Sequence, residues 1–200
     1  MQDSIKPKRT VYNGIRFKSR LEARWAIFFD NLGIEYQYEP EYDEVQAGLA
    51  VVWYKPDFFI PSLNCSIEIK PREPSELSLT KAAGWVDFHP DIYIFYELRP
   101  PSKESESGWL MYWSNKHKKA TLSKGHWWTE CLVCRRIAIT EGGEHPRECL
   151  DKCYTGEALD TIFDWYSMSD REMDDDVYPY SSLSPRLLKA YTAARKATFK

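Results

Sequence analysis

The sequence predicts an α/β chain, more strictly α+β, with a mixed central β-sheet flanked by helices. Three observations lead there. One early stretch carries helical periodicity; short apolar runs of strand length follow it; and a second helical stretch interrupts those runs. Such an order places sheet and helices in one layered core. The chain has 200 residues, 43% of them hydrophobic and 15% aromatic, which is ample for that core and argues against a disordered chain.

The elements follow in chain order. In "GIRFKSRLEARWAIFFDNLG" a short strand feeds a helix. Leu21, Trp25, Phe28, Phe29 and Leu32 fall on one helical face. Ser19 suits the N-cap, and Gly33 stands where a left-handed C′ residue belongs. "IEYQYE" alternates Ile34, Tyr36 and Tyr38 with polar residues, a strand pattern. "VVWYKPDFFI" and "CSIEIK" are two further strands, joined by the turn "PSLN". Pro71 and Pro74 end the second of them, because proline brings no N–H to a ladder. "SELSLTKAAGWVDFH" reads as a helix weakened by Gly84. "DIYIFYEL" and "GWLMYWS" are strands linked by the polar "RPPSKESES". The predicted order over residues 10–114 is β-α-β-β-β-α-β-β. From about residue 115 the apolar alternation stops and cysteines appear. Two late helices are expected, "GEALDTIFDWYSM" and "SPRLLKAYTAARKATF", with the acidic run 169–176 between them. This gives three regions: 1–114, 115–155 and 156–200.

Net charge is −3, so the total does not mark a nucleic-acid binder. Its distribution says more. Residues 1–24 hold seven basic side chains against Asp3 and Glu22, and residues 116–124 and 186–200 hold lysines and arginines without an acid. Segregated basic segments can form a footprint for phosphates, although a charge run is more often plain solvated surface. No apolar run approaches the length of a membrane span, and the first ten residues contain no apolar signal core. The expected location is cytoplasmic.

Three charges interrupt the most apolar neighbourhood. Asp57 follows Pro56 and opens an apolar run, while Glu68 and Lys70 sit two apart in "CSIEIK". On a strand, Glu68 and Lys70 share one face, and Ile67 and Ile69 point the other way. The short turn lets Asp57 approach them. Two carboxylates brought together repel unless a proton or cation lies between them, and Mg²⁺ is held by one or two carboxylates with waters and phosphate oxygens. A lysine beside such a site can steady charge growing on a phosphate. The plainer reading is an ion-paired edge strand, and for Glu22 a capping box with Ser19.

Pro56-Asp57, ten intervening residues and Glu68-Ile69-Lys70 resemble the motif of the PD-(D/E)XK nucleases. The stretch "NGIRFKSRLEARWAIFFDNLGIEYQYEPE" is similar to the opening of phage Holliday-junction-resolving endonuclease I proteins and of TnsA-type transposon endonucleases. The resemblance covers roughly residues 10–113. It implies a restriction-endonuclease-like fold and in-line, Mg²⁺- or Mn²⁺-dependent DNA cleavage that leaves a 5′-phosphate. The implied catalytic set is Glu22, Asp57, Glu68 and Lys70, the metal being held by Asp57, Glu68, Glu22 and the Ile69 carbonyl. Paired cuts on a junction imply a homodimer. Arg16, Lys18 and Arg20, alternating with Ile15 and Phe17, are the expected DNA-backbone contacts. The alternatives are a nuclease for ordinary duplex or single-stranded DNA, and a non-catalytic nuclease-like module that binds DNA or a protein.

Cys131 and Cys134 are two residues apart, Cys149 and Cys153 three apart, with fourteen residues between the pairs. Each pair can offer two thiolates to one tetrahedral Zn²⁺ of structural type. His126 and His145 are reserve ligands, and Cys65 is left over. Trp109, Trp113, Trp127 and Trp128 could stack on splayed bases, but packing beside the zinc module is the commoner fate and the expected one. The junction-resolving pattern has no such extension, which leaves junction specificity open.

Overall fold

In a computed structural model the chain is described over residues 7–40, 42–96, 98–100, 108–141, 180–181 and 183–199. Its entry is a hairpin where one strand was expected. β1 (Thr10–Tyr12) pairs antiparallel with β2 (Ile15–Phe17). Asn13 and Gly14 between them both take positive φ, 47° and 77°. That is the turn geometry whose twist matches a tight hairpin, and Asn-Gly adopts it at low cost. Helix α1 (Arg20–Leu32) follows as expected. The Ser19 hydroxyl accepts the Glu22 N–H, and Gly33 ends the helix at φ 69° with its N–H returned to Asp30 and Phe29 carbonyls.

The expected strand over "IEYQYE" shrinks to β3 (Gln37–Tyr38). The run "VVWYKPDFFI" is not one strand. It divides into β5 (Ala50–Tyr54), which pairs with β4 (Asp43–Ala47) in a separate two-stranded ribbon, and β6 (Phe58–Ile60). Pro56 lies in the break, where it has no N–H to give a ladder. β4 was not foreseen. Gly48 at φ 65° turns the ribbon.

β6 pairs antiparallel with β7 (Cys65–Lys70) across a 3₁₀ turn at Pro61–Leu63 and a left-handed Asn64, so the "PSLN" turn is present. Cys65 opens β7 and is buried. Helix α2 (Glu76–Trp85) then carries the chain over the sheet to β8 (Ile92–Tyr96), which runs parallel to β7. A parallel neighbour requires such a crossover. β9 (Gly108–Ser114) and β10 (Lys119–Lys124) complete a six-stranded mixed sheet of order β10-β9-β8-β7-β6-β3. Residue 114, where the sequence changes character, therefore lies inside a hairpin of the main sheet. β11 (His126–Cys131), β12 (Ile137–Glu141) and β13 (Tyr180–Ser181) form a second antiparallel sheet. Helix α3 (Pro185–Lys196), capped by Ser184, packs on α1. The expected helix over 156–168 and the acidic run lie outside the described residues.

The main sheet is apolar on both faces. On one, Ile67, Ile69, Phe58 and Phe95 meet α1, α3 and β11 around Phe28, Phe29 and the fully buried Trp128. On the other, Ile92, Ile94, Trp109 and Met111 meet α2, which the ribbon covers with Val45 and Tyr54. The four tryptophans thus do not form one cluster: Trp128 and Trp109 belong to opposite cores, and Trp113 is exposed. Gly84 is not a weak point of its helix. A Cβ there would come 2.3 Å from the Gln46 carbonyl oxygen of β4, so the ribbon lies on α2 only because the side chain is missing.

Gly84→Ala separates the two views. Helix propensity alone promises a gain of up to about 1 kcal/mol. The contact with backbone predicts instead a loss of about 1–3 kcal/mol. A urea melt giving a higher midpoint for the alanine protein would show that the ribbon is not seated as described.

Candidate active site

β6 stops pairing with β7 at Phe58 opposite Ile67, so beyond Ile67 that side of β7 has no strand partner. Asp57 fills the gap. Its Oδ2 accepts the Ile69 N–H at 2.7 Å. In an extended strand one residue's N–H and C=O leave on the same side, so the Ile69 carbonyl is directed there too. Glu68 projects to the opposite face from Ile67 and Ile69, and Lys70 Nζ forms an ion pair with its Oε1. Glu68 is 5% exposed and its Oε2 is buried with no hydrogen-bond partner. Asp57, Glu68, Lys70 and Ile69 are therefore brought together as expected.

Glu22 joins from the first turn of α1 and is buried. It forms half of a capping box. Ser19 Oγ accepts the Glu22 N–H, but the returning carboxylate takes the Lys18 N–H at 3.1 Å, one residue before the cap. The same Oε2 accepts the Tyr38 hydroxyl at 2.6 Å. Tyr38 thus ties Glu22 to the sheet. Tyr54, at the end of β5, brings a buried hydroxyl near Glu68 and Asp57. Its charge environment includes both carboxylates, yet neither Tyr54 Oη nor Glu68 Oε2 completes a well-formed hydrogen bond. These two tyrosines were missed in the sequence. Alternation could have flagged Tyr54, which faces inward between the exposed Trp53 and the half-buried Lys55.

Burial, then the charges of Glu68 and Glu22, hold the Asp57 carboxyl well above its ordinary range. Burial also raises Glu68, against the pull of Lys70. Among the described residues no set of three or more His, Cys, Asp and Glu side chains is arranged as a ready-made metal cage. The donor chemistry still suits a hard divalent cation. The half-buried Asp57 and the buried Glu68 repel one another, and Glu68 Oε2 completes no well-formed hydrogen bond.

The expected DNA contacts are all exposed but do not form one strand face. Arg16 lies on β2, Arg20 begins α1, and Lys18 is ion-paired with Glu39. Cys131 is buried at the end of β11. The exposed Cys134 donates its N–H to Cys131 Sγ at 3.5 Å, and Arg135 turns the chain at φ 62°. That loop is a tight turn carrying the Cys131–Cys134 pair. Cys149, Cys153 and His145 lie outside the described residues. His126 is not a reserve ligand for this half: it stands at the opposite end of β11, about 17 Å away at strand rise, with its ring against Tyr93. Comparisons with protein-family models, curated proteins and solved structures gave no match.

The raised carboxyls set a pH dependence. Their folded-state values exceed the ordinary 3.8 and 4.5, so the fold binds these protons more tightly than the unfolded chain. Stability from this source is present at low pH and is lost as pH rises above those values through the folded-state range. In metal-free buffer the wild-type melting temperature should therefore fall as pH is raised above the ordinary carboxyl range. Asp57→Asn, which can still accept the Ile69 N–H, should melt higher at the upper end, by about 2–4 °C for each kcal/mol of repulsion relieved. A variant that melts lower than wild type at pH 8 would contradict the repulsion.

Proposed function

We propose that the chain is a metal-dependent DNA endonuclease with a restriction-endonuclease-like nuclease core, of the PD-(D/E)XK kind its motif resembles. The observation that carries this reading is the meeting of Glu22, Asp57, Glu68 and Lys70 where β6 leaves β7 unpaired. An ion-paired edge strand would put such charges in water; here Glu22 and Glu68 are buried, Asp57 is half-buried, and Glu68 Oε2 completes no well-formed hydrogen bond. Asp57 and Glu68, with Glu22 and the Ile69 carbonyl, are the groups that would hold Mg²⁺ or Mn²⁺. The bound ion would supply a water of lowered pKa and positive charge beside the phosphate oxygens. The protein's own part is positional. The Ile69 N–H fixes Asp57, Tyr38 fixes Glu22, and Glu68 holds Lys70 at the edge of the site, where its ammonium can meet charge developing on the scissile phosphate.

Branched DNA such as a Holliday junction is the favoured substrate on the sequence resemblance, with a homodimer making paired cuts inside a cell. Glu68→Gln and Asp57→Asn should abolish Mg²⁺-dependent cleavage with folding retained, and Lys70→Ala should slow it about 100-fold or more. Glu22→Gln should also abolish cleavage if Glu22 is a ligand. If its work is only at the helix terminus, cutting persists and stability drops by about 1 kcal/mol. Matched junction, flap, duplex and single-stranded DNAs, with and without Mg²⁺, make the assay. Wild-type rates in all four variants would end the nuclease reading at this site.

The Cys131–Cys134 pair supports a second proposal, one structural zinc completed by Cys149 and Cys153. Elemental analysis should return about one zinc per chain, by the four-ligand rule for structural sites. Cys131→Ser and Cys149→Ser should each lower the melting temperature. Zinc-free protein of equal stability would refute it.

A further inference from the structure

We infer that the outer face of the β4–β5 ribbon is a stacking platform for unpaired bases of a DNA strand that runs into the candidate site. This rests on the nuclease reading and adds a substrate class to it: DNA with unpaired nucleotides next to the cut.

The ribbon has two unlike faces. Val45 and Tyr54 are buried against α2, while Tyr42, Val51 and Trp53 are 61%, 61% and 63% exposed. Trp53 and Tyr42 sit edge to face at 5.3 Å, and the Lys55 ammonium lies 5.1 Å from the Tyr42 ring. Exposed rings beside a cation are the elements from which sequence-tolerant single-strand platforms are made: bases stack on the rings and phosphates meet the cation.

The ribbon's place in the chain selects the occupant. Trp53 precedes Asp57 by four residues, a reach of at most about 14 Å. A strand whose scissile phosphate lay at Asp57 and Glu68 would bring nucleotides only a few steps away across this face, at about 3.4 Å per stacked nucleotide. Lys55 and Lys18 lie at the end of the patch nearest the site; Lys18 feels the charges of Asp57 and Glu22. Both lysines share Glu39 as an ionic partner, and Glu44 stands opposite Trp53 across the ribbon. These acids discourage phosphates from resting over the rings and leave the ring faces for uncharged bases. On the same face Glu44 and Gln46 lie opposite Trp53 and Val51 and interrupt the apolar surface.

The test reads binding rather than cutting. Full-length Glu68→Gln protein is titrated, by fluorescence anisotropy, into a labelled single strand, a duplex with a single-stranded flap, and a blunt duplex of the same sequence. Adding Trp53→Ala should weaken the first two by about 5- to 150-fold and leave the blunt duplex within about twofold, matching about 1–3 kcal/mol per stacked base. Trp53→Phe should keep most of the affinity, and Tyr42→Ala should lose in the same direction. Trp53 is exposed, so the melting temperature should not move; if it does, the phenylalanine and Tyr42 proteins decide. Equal loss on all three DNAs, or loss on none, overturns the inference. So does a fall from dimer to monomer in light scattering with DNA affinity intact, which would make the face a contact between copies. The nuclease reading fails separately: wild-type protein that cuts no DNA with Mg²⁺ removes it and this inference together, whereas cutting that is indifferent to Trp53 removes only the inference.

Discussion

One backbone N–H organises the charged end of this molecule. β6 is too short to reach Ile69, and a strand N–H left buried without an acceptor is costly. Asp57 accepts it. That bond ties the start of β6 to the far end of β7, sets a carboxylate beside Glu68, and leaves Lys70 to neutralise only one of the two. Pro56 makes the arrangement possible. It prevents β5 and β6 from continuing as one strand, so the chain can swing from the ribbon to the main sheet within three residues. Tyr54 and Asp57 flank that bend and reach the same site from two sheets.

The second theme is the absence of side chains where layers meet. α2 is pressed between the main sheet and the ribbon, and Gly84 lets the Gln46 backbone come against it. Gly108 plays the same part at the start of β9, where a Cβ would lie 1.9 Å from the His126 carbonyl oxygen. Close approach of this kind fixes relative position more tightly than side-chain packing does, because backbone cannot change rotamer.

Much of this was legible in the sequence, for identifiable reasons. α1 was, because an apolar face and two capping residues signal together. β7, β8 and β9 were, because each is a short apolar run closed by turn residues. The meeting of Asp57, Glu68 and Lys70 followed from two-residue alternation and a short turn. The ribbon was not, because β4 reads as polar: only Val45 among its five residues is buried. The split at Pro56 was hidden by apolar residues on both sides of it. β10 and β11 were missed for a like reason. β10 is an edge strand with lysines at both ends and only Ala120 and Leu122 apolar, and β11 mixes His126, Thr129 and Glu130 into a buried strand, so neither reads as an apolar run. Tyr38 could not be told from an ordinary core aromatic until its hydroxyl met Glu22 in space, whereas the inward place of Tyr54 could have been read from alternation.

The seat of α3 on α1 has a consequence during synthesis. Tyr191 rests on Phe28, and the Arg186 guanidinium reaches back across 154 residues to the Leu32 carbonyl. A ribosome adding about 5–20 residues each second needs about 8–30 s to make that span. For all of that time Phe28 has left the exit tunnel without Tyr191, while Phe29 and Trp25 meet Phe58 and Phe95 sooner. The nascent chain therefore carries a helix that the sheet covers in stages and that only the last helix finishes covering.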